Sequence, residues 1–269
     1  MFTPKEVAQN YLNACETKAK LPFGRMFVLA ILAGLFIAFA GAASGAASAT
    51  LPGSAARIAS GVMFPAGLAM VLVAGSELFT GNNLMIMGVL ERRITLAAML
   101  RNLIIVWIGN LVGGLIVAFI MVYGHGVSAF DGAFATAVVN TASAKVHMSF
   151  GDALLRGAGC NFLVCIAVWM SNAAKTVGGK IAGLFFPIAA FVVSGFEHCV
   201  ANMYYIPAGI FASKLYDIPA EGLNWGSCFV NNLLPVTLGN MIGGVIMVGV
   251  AGWYLYLLPD HKLSHSGKA

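Results

Sequence analysis

Gly75-Ser76-Glu77-Leu78-Phe79-Thr80-Gly81-Asn82-Asn83 interrupts one long apolar run, and Gly195-Phe196-Glu197-His198-Cys199-Val200-Ala201-Asn202 interrupts another. Laid together, Gly75 falls on Gly195, Glu77 on Glu197 and Asn82 on Asn202. A second pair of segments repeats more fully. Asn102–Val117 aligns without gaps to Asn232–Met247, and eight of the sixteen positions are identical, among them Asn102/Asn232, Gly109/Gly239, Asn110/Asn240 and Gly113/Gly243. The chain is therefore built from two related halves, each with a polar patch inside an apolar run.

The surrounding composition says what medium those runs occupy. Of 269 residues, 59% are hydrophobic and 9% charged, whereas a soluble domain carries roughly a quarter charged residues. A water-soluble globular protein is excluded. Crossing the hydrocarbon core takes about 20 apolar residues. Reading runs and breakers places six spans near 26–48, 58–90, 96–123, 153–173, 181–211 and 228–257, the second and fifth broken by the polar patches. Three spans per half is an odd number, so the second half enters from the opposite face and the repeats are inverted, related by a pseudo-two-fold axis in the membrane plane. The expected organisation is one membrane domain: an interfacial N-terminal helix over 1–25, a first repeat over 26–123, a connection over 124–152, a second repeat over 153–257 and a cytoplasmic tail over 258–269.

The charges report topology. Lys and Arg exceed Asp and Glu by 15 to 10, and they lie between or beside the apolar runs. With the N-terminus inside, eleven fall on the cytoplasmic side and only Arg57, Lys145, Arg156 and Lys214 outside, which places both termini in the cytoplasm of a cell-membrane protein. The short basic groups, such as Arg92-Arg93, form no solvated nucleic-acid face. Residues 1–22 have neither the apolar core nor the cleavage site of a secretory signal. Five cysteines, Cys15, Cys160, Cys165, Cys199 and Cys228, form no CxxC pair and read as small buried thiols rather than a disulfide framework or a zinc site. No metal or cofactor is expected.

Ionisable groups in the middle of a span cost several kcal/mol in lipid, so they face protein or a water-filled cavity. Where a helix breaks, its freed backbone groups need side chains, water or a solute. Glu77, Thr80, Asn82, Glu197 and Asn202 can serve, and the plainest role for Glu77, Glu197, Asn82 and Asn202 is to hold the breaks together. His198 is the histidine in mid-span; His125, His147, His261 and His265 lie in loops or the tail. The half-helix that resumes after a break presents a partial positive charge that favours an anion.

Three segments in this order, Leu72–Gly81, Gly157–Ala167 and Phe196–Met203, resemble the formate/nitrite transporter family, across essentially the whole chain. Cys199 stands where serine is common. The resemblance implies an all-α, aquaporin-like bundle of six transmembrane helices, two of them broken, assembled as a homopentamer with one pore per protomer. It implies permeation of formate, nitrite or hydrosulfide. By motif match His198 is the central pore histidine, Thr80 its hydrogen-bonding counterpart, Asn202 a support of the break, and Lys145 the residue that draws anions to the outer vestibule. Similarity also places Phe64 and Phe191 at an outward constriction and Leu68, Phe79 and Val164, with Leu78, at an inward slit. Asn161, with Glu77, Glu197 and Asn82, is implied as structural at the breaks. The Phe196–His198 and Asn202–Pro207 segments look closer to formate-channel-like members. An aquaporin-type neutral-solute channel expects Asn-Pro-Ala at both breaks, which this chain lacks. An intramembrane enzyme using Ser76 or Cys199 with His198 has its nucleophile poorly placed and no HExxH motif.

Overall fold

The computed structural model describes residues 1–258; the tail expected over 258–269 lies outside the described residues apart from Leu258. Among the described residues there is no strand. The chain runs through α1 (Pro4–Ala19), α2 (Phe23–Ser48), α3 (Gly53–Gly75), α4 (Phe79–Leu90), α5 (Leu96–Tyr123), α6 (Ala133–Val146), α7 (Phe150–Ala173), α8 (Val177–Val193), α9 (Cys199–Leu215) and α10 (Trp225–Tyr256). Five of these, α2, α3, α5, α7 and α10, are long and apolar enough to cross a membrane, and α4 and α8 are shorter apolar helices.

Local sequence sets the helix starts. Thr95, Ser149 and Thr176 each accept from the backbone N–H three residues on, satisfying donors that a helix N-terminus leaves open. Thr3 and Glu6 form a reciprocal capping box at α1. Proline is tolerated inside α8 (Pro187) and α9 (Pro207).

Packing repeats between the halves. α2 lies along α5, and α7 along α10. A Cβ at Gly113 would collide with the backbone carbonyl of Ile31, and one at Gly243 with that of Ala158. These positions are equivalent in the sequence repeat, and both let helix backbones touch, the small-residue packing that replaces hydrophobic drive in lipid. Trp107 and Thr237 also share a repeat position, and Trp107 Nε1 donates to Thr237 Oγ1 at 3.1 Å. Equivalent positions of the two halves thus touch each other.

Two elements differ from a plain reading of apolar runs. The connection over 124–152 contains α6, which buries Phe134, Val138, Val139 and Ala142 against its neighbours and packs along α9. Its alanine- and threonine-rich sequence carries too weak an apolar signal to stand out beside the spans. α1 buries Val7, Ala8, Tyr11, Leu12 and Cys15 against α4, α5, α7 and α10. Tyr11 Oη donates to the Gly81 carbonyl at 3.0 Å, and Glu16 pairs with Arg93. The Arg93 guanidinium holds the Glu16 carboxyl below the usual carboxylate range.

Gly243→Val is expected to cost about 3 kcal/mol, the upper end for overpacking, because the colliding atom is backbone and cannot rotate away. Thermal unfolding of the purified protein in detergent checks this. A midpoint equal to wild type would mean that α7 and α10 are not held in this contact.

Candidate functional site

Helical structure stops at Gly75, whose φ is +84°, and resumes at Phe79; it stops again after Val193 and resumes at Cys199, with Gly195 at φ +71°. Both glycines occupy a left-handed backbone region that side chains disfavour. The last turn before the first interruption, Val71–Gly75, is widened to a π-helix, a form that recurs at functional sites.

The backbone groups exposed by the interruptions are satisfied twice in the same way. At the first, Asn110 Oδ1 accepts from Phe79 N at 3.0 Å, while its Nδ2 donates to the carbonyls of Ala30 (2.7 Å) and Glu77 (3.0 Å). At the second, Asn240 Oδ1 accepts from Cys199 N at 2.9 Å, while its Nδ2 donates to the carbonyls of Gly157 (2.8 Å) and Glu197 (2.9 Å). Glu77 N donates to Leu29 O and Glu197 N to Arg156 O, both at 3.2 Å. Sequence reading overlooked Asn110 and Asn240. The signal lies in the repeat, as a Gly-Asn dipeptide at the same place in both halves.

The carboxylates are held by matching tetrads. Lys18 donates to Glu77 Oε1 at 2.7 Å, and Asn82 Nδ2 bridges Glu77 Oε2 (2.6 Å) and Asn102 Oδ1 (2.8 Å). Lys145 donates to both oxygens of Glu197 at 2.8 and 2.9 Å, and Asn202 Nδ2 bridges Glu197 Oε2 and Asn232 Oδ1, both at 2.7 Å. Lys145 is thus in an ion pair, with only 14% of its side chain exposed, rather than a bare cation at a mouth.

Between the tetrads sits His198. Its Nδ1 accepts from Ala201 N at 3.1 Å, capping α9, and its Nε2 lies 2.9 Å from Thr80 Oγ1. A backbone N–H can only donate, so Nδ1 is unprotonated and the proton of the neutral ring is on Nε2, directed at Thr80. Thr80's own carbonyl accepts from Asn161 Nδ2 at 3.3 Å, and the same Nδ2 donates to Asn240 O at 2.7 Å. Asn161 therefore ties the Thr80 turn to α10.

Two vestibules approach this centre. One, of about 310 Å³, is lined by Tyr11 and Lys18 of α1, Asn82 and Lys180, and reaches Leu68, Val71 and Leu78. The other, of about 250 Å³, is lined by Arg57, Lys145, Glu197, Asn202 and Tyr205, and reaches Phe64, Phe191 and His198. Between them a void of about 10 Å³ is enclosed by Phe64, Leu68, Leu78, Val164, Phe191 and His198, with Ile37 and Ile188. That is at the limit for one water. Phe64 and Phe191 meet edge to face, with centroids 5.6 Å apart. The structure places Phe79 elsewhere, bordering an apolar cleft with Leu103, Trp107, Leu233 and Met241. Successive residues point to different sides, so Leu78 and Phe79 do not share the void. Among the described residues no three His, Cys, Asp or Glu side chains converge as metal ligands.

Two vestibules meeting at an apolar constriction, inside a membrane protein whose described residues form helices and no strand, have the form of a channel or transporter. The chain belongs to the formate/nitrite transporter family: the family model described as formate/nitrite transporter matches residues 5–254. A probable formate transporter of Methanothermobacter thermautotrophicus is 40% identical, over 95% of this chain and 97% of that one. The formate channel FocA of Haemophilus influenzae is 38% identical, over 94% of each. Among solved structures, a pentameric formate channel with formate bound is 33% identical with a TM-score of 0.77, covering 87% of this chain and 98% of that chain. These relatives are channels and transporters, and the chain is not an enzyme.

Asn240→Ala would strip this partner from the buried Cys199 N–H and Glu197 carbonyl of the interruption, at about 1–3 kcal/mol each, and would untie the interruption from Gly157 of α7. Asn240→Asp keeps an acceptor for Cys199 N but loses both donors. Both variants are expected to lose most folded protein in gel filtration, whereas Asn231→Ala, an exposed neighbour with one bond to Val146 O, should not. Wild-type yield and melting for Asn240→Ala would remove it from the support of the interruption.

Proposed function

We propose that the protein is a channel for small monovalent weak-acid anions, formate foremost, in a cell membrane with both termini cytoplasmic. In this reading α3 with α4, and α8 with α9, are the second and fifth of six membrane-spanning elements, each broken at its interruption. The two halves are inverted repeats of an aquaporin-like bundle. Each protomer of a homopentamer carries its own pore, as the pentameric assembly of the solved formate channel supports. The observation that carries the reading is His198, bonded to Thr80 and facing a void closed by Phe64 and Phe191 on one side and Leu68, Leu78 and Val164 on the other.

The physics follows from that enclosure. A bare anion loses its hydration in an apolar constriction at a large cost, while a weak acid carrying its proton is neutral and avoids most of it. His198 Nε2–H and the Thr80 hydroxyl are the donors available between the constrictions, and a charge-assisted hydrogen bond is about twice as strong as a neutral one. Adding a second proton at Nδ1 converts the acceptor of the Ala201 cap into a donor. Protonation of the ring and geometry of the constriction are therefore coupled, and flux depends on pH: channel-like anion passage near neutral pH and movement with a proton at lower pH. Nitrite and hydrosulfide are the alternatives within the same family, since apolar constrictions discriminate weakly between solutes of similar size.

Uptake of formate, nitrite, hydrosulfide and glycerol into proteoliposomes at two pH values tests the function. Anion entry with a pH-dependent rate and exclusion of glycerol is the expected result; passage of glycerol alone would overturn it. His198→Ala is expected to flatten the pH profile in an intact pentamer, and an unchanged profile would remove His198 from the mechanism. Phe191→Ala, which deletes half of the aromatic pair, should raise flux and admit glycerol. Continued exclusion of glycerol would place the selective barrier elsewhere.

A further inference from the structure

Among the described residues each vestibule holds two cations, and in each the more buried one is already neutralised. Lys145 is bound by both oxygens of Glu197, and Lys18 by Glu77. Arg57 lines the Lys145 vestibule and Lys180 the Lys18 vestibule, and among the described residues neither has a carboxylate within ion-pair distance. The charge balance is the same on both sides once each ion pair is counted: one Lys–Glu pair that cancels and one cation that does not. We propose that Arg57 and Lys180 are the anion-capturing residues of the two mouths, each supplying the net positive potential of its vestibule, while Lys145 and Lys18 hold the carboxylates of the interruptions. This rests on the anion-channel reading above and assigns the residues that recruit its substrate.

The geometry of Arg57 suits the role. It stands on α3, and its Nη1 donates to the Val193 carbonyl at 3.3 Å, the last residue of α8. That single bond anchors the guanidinium beside Gly195, where a Cβ would stand 3.5 Å from Nη1. Five N–H donors are available on a guanidinium, and the others are left for a carboxylate or another planar anion, which a guanidinium can grip at two points. Lys180 is half-buried on the first turn of α8 and offers a point charge to the opposite vestibule. Clefts lined by one sign of charge with low-dielectric walls concentrate counter-ions and raise capture by about 10-fold to 1,000-fold. The Arg57–Val193 bond has a second reading, a helix C-cap with no part in capture, and the measurements separate the two.

The experiment uses full-length pentamer in proteoliposomes of uniform orientation, with formate as the probe and initial rates taken in both directions across a concentration series. Arg57→Gln is expected to raise KM for entry from the Lys145 vestibule by about tenfold, the lower end of electrostatic focusing. The saturating rate should fall much less, and the dependence on ionic strength should weaken. Lys180→Gln should do the same for entry from the opposite face. Arg57→Lys and Lys180→Arg should restore most of the affinity, and Lys214→Gln, an exposed cation lining neither vestibule, should leave KM as in wild type. If both Gln variants keep wild-type KM and salt dependence, the proposal is overturned. It is also overturned if Arg57→Gln lowers only the melting temperature, which is the behaviour of a cap. Wild-type protein that passes none of formate, nitrite or hydrosulfide would instead refute the channel reading itself.

Discussion

The governing constraint is that a helix interrupted inside an apolar interior exposes N–H and C=O groups that water cannot reach. Here the answer is one asparagine side chain per interruption. Asn110 and Asn240 each pair three backbone groups at once, using their single acceptor and both donor hydrogens. Such a bridge works only if α5 lies close to α2, and α10 close to α7. The glycine contacts at Gly113 and Gly243 provide that closeness. Small-residue packing and polar satisfaction are therefore one device, and neither would be stable without the other.

Once the interruptions are held, the same frame supports different contents in the two halves. With Glu77 laid on Glu197, Leu78 falls on His198. Leu78 precedes α4 without any side-chain cap, whereas His198 caps α9 through Nδ1. The two residues meet at the same small void, so one face of the constriction is purely apolar and the other carries a hydrogen-bond donor. The carboxylates beside them would repel anions if left bare, and Lys18 and Lys145 cancel that charge within hydrogen-bond distance. Desolvation, rather than a strong fixed charge, is what a solute meets between Phe64 and Leu68.

Much of this was legible in the chain. The runs expected over 96–123 and 153–173 correspond to Leu96–Tyr123 and Phe150–Ala173, because long uniform apolar stretches have sharp edges. The two polar patches marked the interruptions, because Gly, Glu and Asn in mid-run have no inexpensive place in an unbroken apolar helix. Glu77, Asn82, Glu197 and Asn202 do stand together there. Less legible were α6, whose small residues give a weak pattern, and Phe79, whose neighbour Leu78 takes the central position. Residue order alone does not say which side of a short turn faces inward.

Composition and periodicity determined the medium, the duplication and the positions of the polar patches, since each depends only on residues near in sequence. Partner identity was decided by the tertiary structure: Thr80 with His198 across 118 residues, Lys145 with Glu197 across 52, Lys18 with Glu77 across 59. A lysine reads as a positive charge in a sequence, but whether that charge is available depends on a carboxylate brought to it by other helices. The chain names the charged and polar groups, and the fold decides which of them cancel and which remain to meet a solute.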